Sequence, residues 1–160
     1  MALEIERKYL VKNDDWKKEN ITKRLGFIGQ SYLINVPQLT VRYRYYSALK
    51  KGTITVKGEK ILLSSQEFEM EIDNEEINKL MMHETSDAQS VIKSRTVVEF
   101  QNQHFEIDEF GGSNFGLVVA EIELPSVDTD VILPDWIGKE ITFDKKYLNC
   151  NLVVNPFTRW

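Results

Sequence analysis

Like charges recur two residues apart along this chain. Glu4, Glu6 and Lys8 alternate with Leu3, Ile5 and Tyr9. Arg42 and Arg44 alternate with Val41, Tyr43 and Tyr45, and Thr53, Thr55 and Lys57 with Ile54 and Val56. Glu67, Glu69 and Glu71 alternate with Phe68, Met70 and Ile72. Further on, Lys93 and Arg95 share a side, as do Glu106 and Asp108, and Glu121 and Glu123. Successive side chains of a strand point to opposite faces, so each set is a charged face backed by an apolar one. A solvated strand face is the plain explanation of such a pattern, and exposed ion pairs contribute only about 0–1 kcal/mol each. A solvated face, however, mixes in Ser, Thr, Gln and Asn and needs no like charges side by side. A site for a multiply charged ligand and a metal does: Arg forks bind two oxygens of an anion at once, and carboxylates are oxygen ligands for hard cations.

The elements that must position these residues follow from the same alternation. Strands are expected at Leu3–Val11, Gly29–Asn35, Leu39–Ser47, Thr53–Glu59, Gln66–Asp73, Ser90–Phe100, Gln103–Phe110 and Leu117–Leu124. The loop Ala48–Gly52 and the pair Gln101-Asn102 join neighbours as hairpins, which favours antiparallel pairing. Three helices fit between the strands. One is capped by Asn13 or Asp14 and runs to about Glu19; another covers Glu75–Met82 behind Asn74; the last runs from Lys145 to about Val153 behind Asp144.

Composition bounds the answer. With 160 residues the chain is expected to form one domain spanning 1–160. Lys plus Arg is 20 and Asp plus Glu is 25, a net charge of −5 that argues against a nucleic-acid partner. There is no apolar run of membrane-spanning length and no signal-peptide core in MALEIERKYL. A single cysteine, Cys150, excludes an internal disulfide, and a reducing cytoplasmic setting is the default. Eight strands can form a barrel. A closed sheet with its charged faces inward would reconcile the pattern, so the expected fold class, which the resemblance described below also implies, is α+β: an eight-stranded antiparallel β-barrel with a few short helices, and loop residues such as Trp136, covering the outside. Charged faces turned inward cannot form a dry core, because unpaired buried charge is too costly, so they would line a hydrated channel.

The residues resemble those of the CYTH superfamily, the triphosphate tunnel metalloenzymes, over nearly the whole chain. Glu4-Ile5-Glu6-Arg7-Lys8 matches the E-x-E-x-K signature, Arg42-Tyr43-Arg44 the R-x-R strand, Thr55-Val56-Lys57-Gly58 the lysine strand and Lys93-Ser94-Arg95 the K-x-R strand. Glu67–Ile72, Glu106-Ile107-Asp108 and Ala120–Glu123 resemble the acidic strands, and Asp144–Asn149 the closing D-x-[RK]-Y-x-N segment. Gln66 and Lys146 stand where Arg is frequent in the family. The chain lacks the His-Phe element of the class IV adenylyl cyclase branch and the long N-terminal region of the RNA triphosphatase branch, and so looks like the short bacterial single-domain type.

The resemblance implies metal-dependent hydrolysis of a triphosphate, foremost inorganic tripolyphosphate, with Mg²⁺ or Mn²⁺ as cofactor. Seven cations and seven carboxylates would balance along the lining. Arg42, Arg44, Lys57, Lys93, Arg95 and Lys146, with Lys8, would bind phosphate. Glu4, Glu6, Glu121 and Glu123 would carry metal, with Glu69, Glu71 and Asp108 completing the carboxylate set. Glu4, Glu6 and Lys8 are the expected catalytic residues. Thiamine triphosphate, nucleoside triphosphates and ATP cyclisation stay open as alternatives, as do a non-catalytic polyphosphate-binding module and a plain β-domain acting through protein contacts. The partner is a small triphosphate, with no nucleic acid or membrane, and a homodimer is left open. His83 reads as a surface or capping residue, His104 as facing solvent or a channel mouth, and Cys150 as a packed small hydrophobe. Gly111-Gly112 lacks the P-loop pattern.

Overall fold

The computed structural model describes the backbone of residues 2–36, 38–59, 64–82 and 90–160, and the side chains of 5–36, 38–59, 65–79 and 90–160. His83 and the side chain of Glu4 lie outside the described residues. In chain order the elements are β1 (Ala2–Val11), β2 (Asn20–Val36), β3 (Leu39–Tyr46), β4 (Lys51–Gly58), β5 (Ser64–Ile72), α1 (Asn74–Met82), β6 (Ser90–Phe100), β7 (Gln103–Phe110), β8 (Val118–Glu123), β9 (Ile137–Glu140) and α2 (Asn149–Val154). No helix among the described residues is long and apolar enough to cross a membrane.

The strands form one antiparallel sheet in the order β5-β4-β3-β2-β6-β7-β8-β1-β9. This corrects the expected closed eight-stranded barrel. Among the described residues there are nine strands, and β1 divides its second edge between two partners. Ala2–Ile5 pair with Glu67–Ser64 of β5, while Tyr9 and Val11 pair with β9. The β5–β1 pairing curls the sheet, but that seam is only these four residue pairs long. The strand that sequence periodicity does not reach is β9. It holds four residues, too few to show a period, and Gly138 lets it lie close on β1: a Cβ there would sit 2.9 Å from the Leu10 carbonyl oxygen.

The second strand also differs from expectation, beginning at Asn20 and not Gly29. Its register against β6 slips between Ile21 and Lys23 and again between Arg24 and Gly26. Each β-bulge adds one residue to β2 and breaks the period-2 pattern. Gly26 takes the left-handed φ of +66° that the second bulge requires. The tight hairpin between β6 and β7 forms as read, with Gln101 and Asn102 both at positive φ, the geometry that matches strand twist.

The apolar faces are covered as alternation demands. Ile5, Tyr9, Val98, Phe105, Ile107, Ala120 and Ile122 pack with Trp16 and Trp136, and the Phe105 and Trp136 rings meet edge-on at 5.5 Å. α1 seats Ile77 against Tyr43 and Ile72, and its N-terminus is capped by Asp73, not Asn74: Asp73 Oδ1 accepts from the Glu75 and Glu76 amides at 2.8 and 2.9 Å. The first expected helix is a 3-10 turn, Asp14–Lys18, capped by Asn13. The last is a 3-10 turn, Lys145–Tyr147, capped by Asp144 and followed by α2. α2 does not cover the outside. Its Leu152 packs on Val91, Phe110 and Val119, residues that share the face of Lys93, Asp108 and Glu121.

Candidate active site

The curl of the sheet encloses a cavity of about 590 Å³, and eleven of its fifteen lining residues are charged. Arg42 and Arg44 reach it from β3 and Lys57 from β4. Glu6 and Lys8 come from β1, Glu106 from β7, Glu121 and Glu123 from β8, and Arg95 from β6. Glu67 and Glu69 of β5 complete the charged lining. Cations of β3 and β4 thus share one space with carboxylates of β1, β7 and β8.

The register explains the contacts. Lys8 lies opposite Glu121, and Glu6 opposite Glu123. Lys8 Nζ donates to Glu121 Oε1 at 2.8 Å and lies 3.5 Å from Glu6 Oε1. Burial alone would lower the Lys8 pKa; the Glu121 and Glu6 carboxylates outweigh it and hold the ammonium well above its ordinary value. Burial would likewise raise Glu121, but Lys8 and Arg95 keep it well below the usual carboxylate range.

Arg95 lies opposite Asp108. Its Nε and Nη2 fork onto Asp108 Oδ1 and Oδ2 at 2.7 and 2.6 Å, Nη2 also meets Glu121 at 2.9 Å, and Nη1 pairs with Glu106. Lys93 Nζ pairs with Asp108 from the other side. Lys93 and Asp108 stand behind Arg95 and do not line the cavity. Burial, with Arg95 close by, pushes the Lys93 ammonium down to about 8.

The opposite wall is differently equipped. Arg42 Nη2 and Lys57 Nζ approach Glu67 Oε2 at 3.7 and 3.4 Å. Arg42 Nε and Glu67 Oε2 are buried without a hydrogen-bond partner among the described residues. A buried donor left unmade is costly, so the Arg42 guanidinium is suited to an acceptor that arrives with a ligand. Arg44 donates from Nε to Gln30 Oε1 at 2.9 Å and from Nη1 to the Tyr46 hydroxyl at 3.0 Å.

Of the residues expected from the sequence, Glu6, Lys8, Arg42, Arg44, Lys57, Glu69, Arg95, Glu121 and Glu123 line the cavity. Lys93 and Asp108 are one layer behind it. Two others are elsewhere. Glu71 is exposed and pairs with Lys51; Lys146 sits on the 3-10 turn with its ammonium 3.7 Å from the Trp160 ring centre. Glu67, Glu106, Tyr46, Leu25, Phe68 and Asn149 line the cavity without having been assigned. Parity already put Glu67 and Glu106 on the charged faces. Leu25 enters through the second bulge of β2, and Asn149 from α2, neither of which leaves a periodic trace. His104 is exposed and Cys150 is half-buried.

A family model for the CYTH domain matches residues 2–151. An inorganic triphosphatase of Acetivibrio thermocellus is 39% identical over 157 residues, covering 98% of this chain and 97% of that protein. An inorganic triphosphatase of Nitrosomonas europaea is 31% identical over 156 residues, covering 95% and 97%. A crystal structure of an inorganic triphosphatase superposes with a TM-score of 0.66 at 30% identity, covering 96% of each chain. With the match running through all nine strands, this chain belongs to the CYTH domain family.

Proposed function

We propose that this protein hydrolyses inorganic triphosphate with a divalent cation, inside the charged cavity. The observation that carries the reading is that cations from β3 and β4 and carboxylates from β1, β7 and β8 line one space of about 590 Å³. Relatives of 39% and 31% identity over nearly full length are inorganic triphosphatases, which supports it. The lining offers only Leu25 and Phe68 as fully apolar groups, so it provides for phosphate far more than for a base or another organic end.

The contacts support the following division of labour. Arg42, Arg44 and Lys57 bind the polyphosphate, the arginines in two-toothed fashion. Arg95, already bonded to Asp108, Glu106 and Glu121, braces the carboxylate wall and adds positive potential. Lys8 fixes the orientation of Glu121 and Glu6. The donor set fits Mg²⁺ or Mn²⁺. Among the described residues no three carboxylates are clustered as a ready cage, but Mg²⁺ is ordinarily held by one or two carboxylates together with substrate phosphate oxygens. Glu6, Glu121 and Glu123 would hold it. When bound, the cation supplies charge neutralisation on the phosphoryl oxygens during in-line displacement by water.

Phosphate release from tripolyphosphate, thiamine triphosphate and nucleoside triphosphates, with cyclic AMP measured in parallel, tests the reading. Tripolyphosphate is expected to show the highest kcat/KM with Mg²⁺ or Mn²⁺ and none with EDTA, and Glu6→Gln is expected to lose most of it. No phosphate release with either cation, or cyclic AMP as the main product from ATP, would overturn it.

A further inference from the structure

Arg44 and Arg95 are both buried guanidinium groups, but they are compensated in opposite ways. Arg95 is bonded to three carboxylates. Arg44 forms no ion pair among the described residues: its partners are the Gln30 amide oxygen and the Tyr46 hydroxyl. An arginine Nε can only donate, so the Gln30 atom it meets is the oxygen. The Gln30 amide nitrogen then donates to the Tyr32 hydroxyl at 2.5 Å. Tyr32 stays a neutral phenol, since burial pushes it up to about 12. Asp108, whose charge Arg44 feels, is already bound by Lys93 and Arg95. Among the described residues every side chain that holds Arg44 is therefore neutral, although a buried arginine is ordinarily paired with a carboxylate.

We infer that Gln30 is a positioning residue for substrate affinity: it aims the Arg44 guanidinium into the cavity while leaving its charge uncompensated for an incoming phosphoryl group. A glutamate of the same length would make the same hydrogen bond and cancel that charge. Gln30 is 1% exposed and does not line the cavity, so it acts through Arg44 and not on substrate. The choice of an amide sacrifices folding stability for binding, a trade typical of functional sites. The inference rests on the proposed triphosphatase reading and deepens it.

The opposite signs of two effects make it testable. Gln30→Glu is expected to raise the melting temperature without ligand, because a buried ion pair replaces a lone charge. The same variant is expected to raise KM for tripolyphosphate by about tenfold or more, the worth of a charged hydrogen bond, with a smaller change in kcat. Binding of inorganic tripolyphosphate in EDTA, measured by calorimetry, should weaken in parallel. Gln30→Met removes the acceptor but adds no charge, and is expected to lower the melting temperature and raise KM less than Gln30→Glu does. A KM unchanged by Gln30→Glu, or raised as much by Gln30→Met, overturns the inference while the triphosphatase reading stands. A wild-type protein that neither binds nor hydrolyses tripolyphosphate overturns that reading itself, and this inference with it.

Discussion

Lys93 and Asp108 form an ion pair in which neither side chain has any exposure to solvent. The β6–β7 register puts Arg95 directly opposite Asp108 and Lys93 two residues away on the same face, so a single carboxylate anchors two cations. Arg95 passes the connection on to Glu121 and Glu106, and Glu121 to Lys8. The wall that would face a cation is thus tied through four strands to one buried aspartate.

Removing that aspartate should be severe. Asp108→Ala leaves Lys93 and part of Arg95 buried without a counter-charge, and breaking a buried pair in this way costs about 3–5 kcal/mol. Urea unfolding measures it. A loss below about 1 kcal/mol would mean that the pair is solvated in the folded protein.

The two ends of the pH range should respond in opposite directions. Lys93 holds its proton up to about pH 8 when folded and to about 10.5 when unfolded. Between those values the unfolded chain binds more protons, so this residue makes stability rise with pH. Asp108 and Glu121 are depressed below their ordinary 3.8 and 4.5, despite burial, by Arg95 with Lys93 and by Lys8 with Arg95 respectively. Their contribution is full above pH 4.5 and is lost as pH falls through the folded values. Denaturation midpoints at pH 3, 7, 8 and 10 check both limbs, and Lys93→Met should abolish the alkaline rise.

Gly52 marks where α1 meets the sheet. A Cβ there would lie 2.8 Å from two carbons of Ile77 and 3.0 Å from the Arg44 carbonyl oxygen. Gly52→Ala should therefore destabilise by about 1–3 kcal/mol, the usual cost of overpacking. The double variant with Ile77→Val, which shortens the obstructing side chain, should recover part of that loss in thermal unfolding.

Lys146 provides a contrast with the cavity cations. Its ammonium lies over the Trp160 ring, at an exposed position where such a contact contributes about 0.5–1 kcal/mol. Lys146→Ala should lower stability by no more than that and leave KM for tripolyphosphate within a factor of about three, less than 1 kcal/mol. Arg42→Ala should raise the same KM by about tenfold or more, since it removes a charged hydrogen-bond donor. Equal effects of the two substitutions would show that Lys146 enters the cavity with substrate.

Strand positions were legible wherever alternation ran unbroken, as in β3, β4, β6 and β7. They were lost where it was interrupted. The bulges after Ile21 and Arg24 hid nine residues of β2, and β9 was too short to carry a period. The first-turn cap of α1 fell one residue from its expected place because the Asp73 carboxylate outcompetes its neighbour for two amides. Within β5, parity treated Glu67, Glu69 and Glu71 alike. Glu67 and Glu69 line the cavity, while Glu71 lies beyond it against Lys51.

Which residues are charged in alternation, and hence which side of each strand bears ions, follows from the local chain alone, because the pleat turns every second side chain to one face whatever lies beyond it. That much was enough to pair Arg42 with Arg44, Lys93 with Arg95 and Glu121 with Glu123. Which of those ions meet was settled by the assembled sheet. Strand register and curl bring Lys8 to Glu121 and Arg95 to Asp108, bury Lys93 behind them, leave Arg44 among neutral partners and send Glu71 and Lys146 to the surface. These are contacts between residues far apart in the chain, and no local pattern encodes the distance between two strands that pair only after folding.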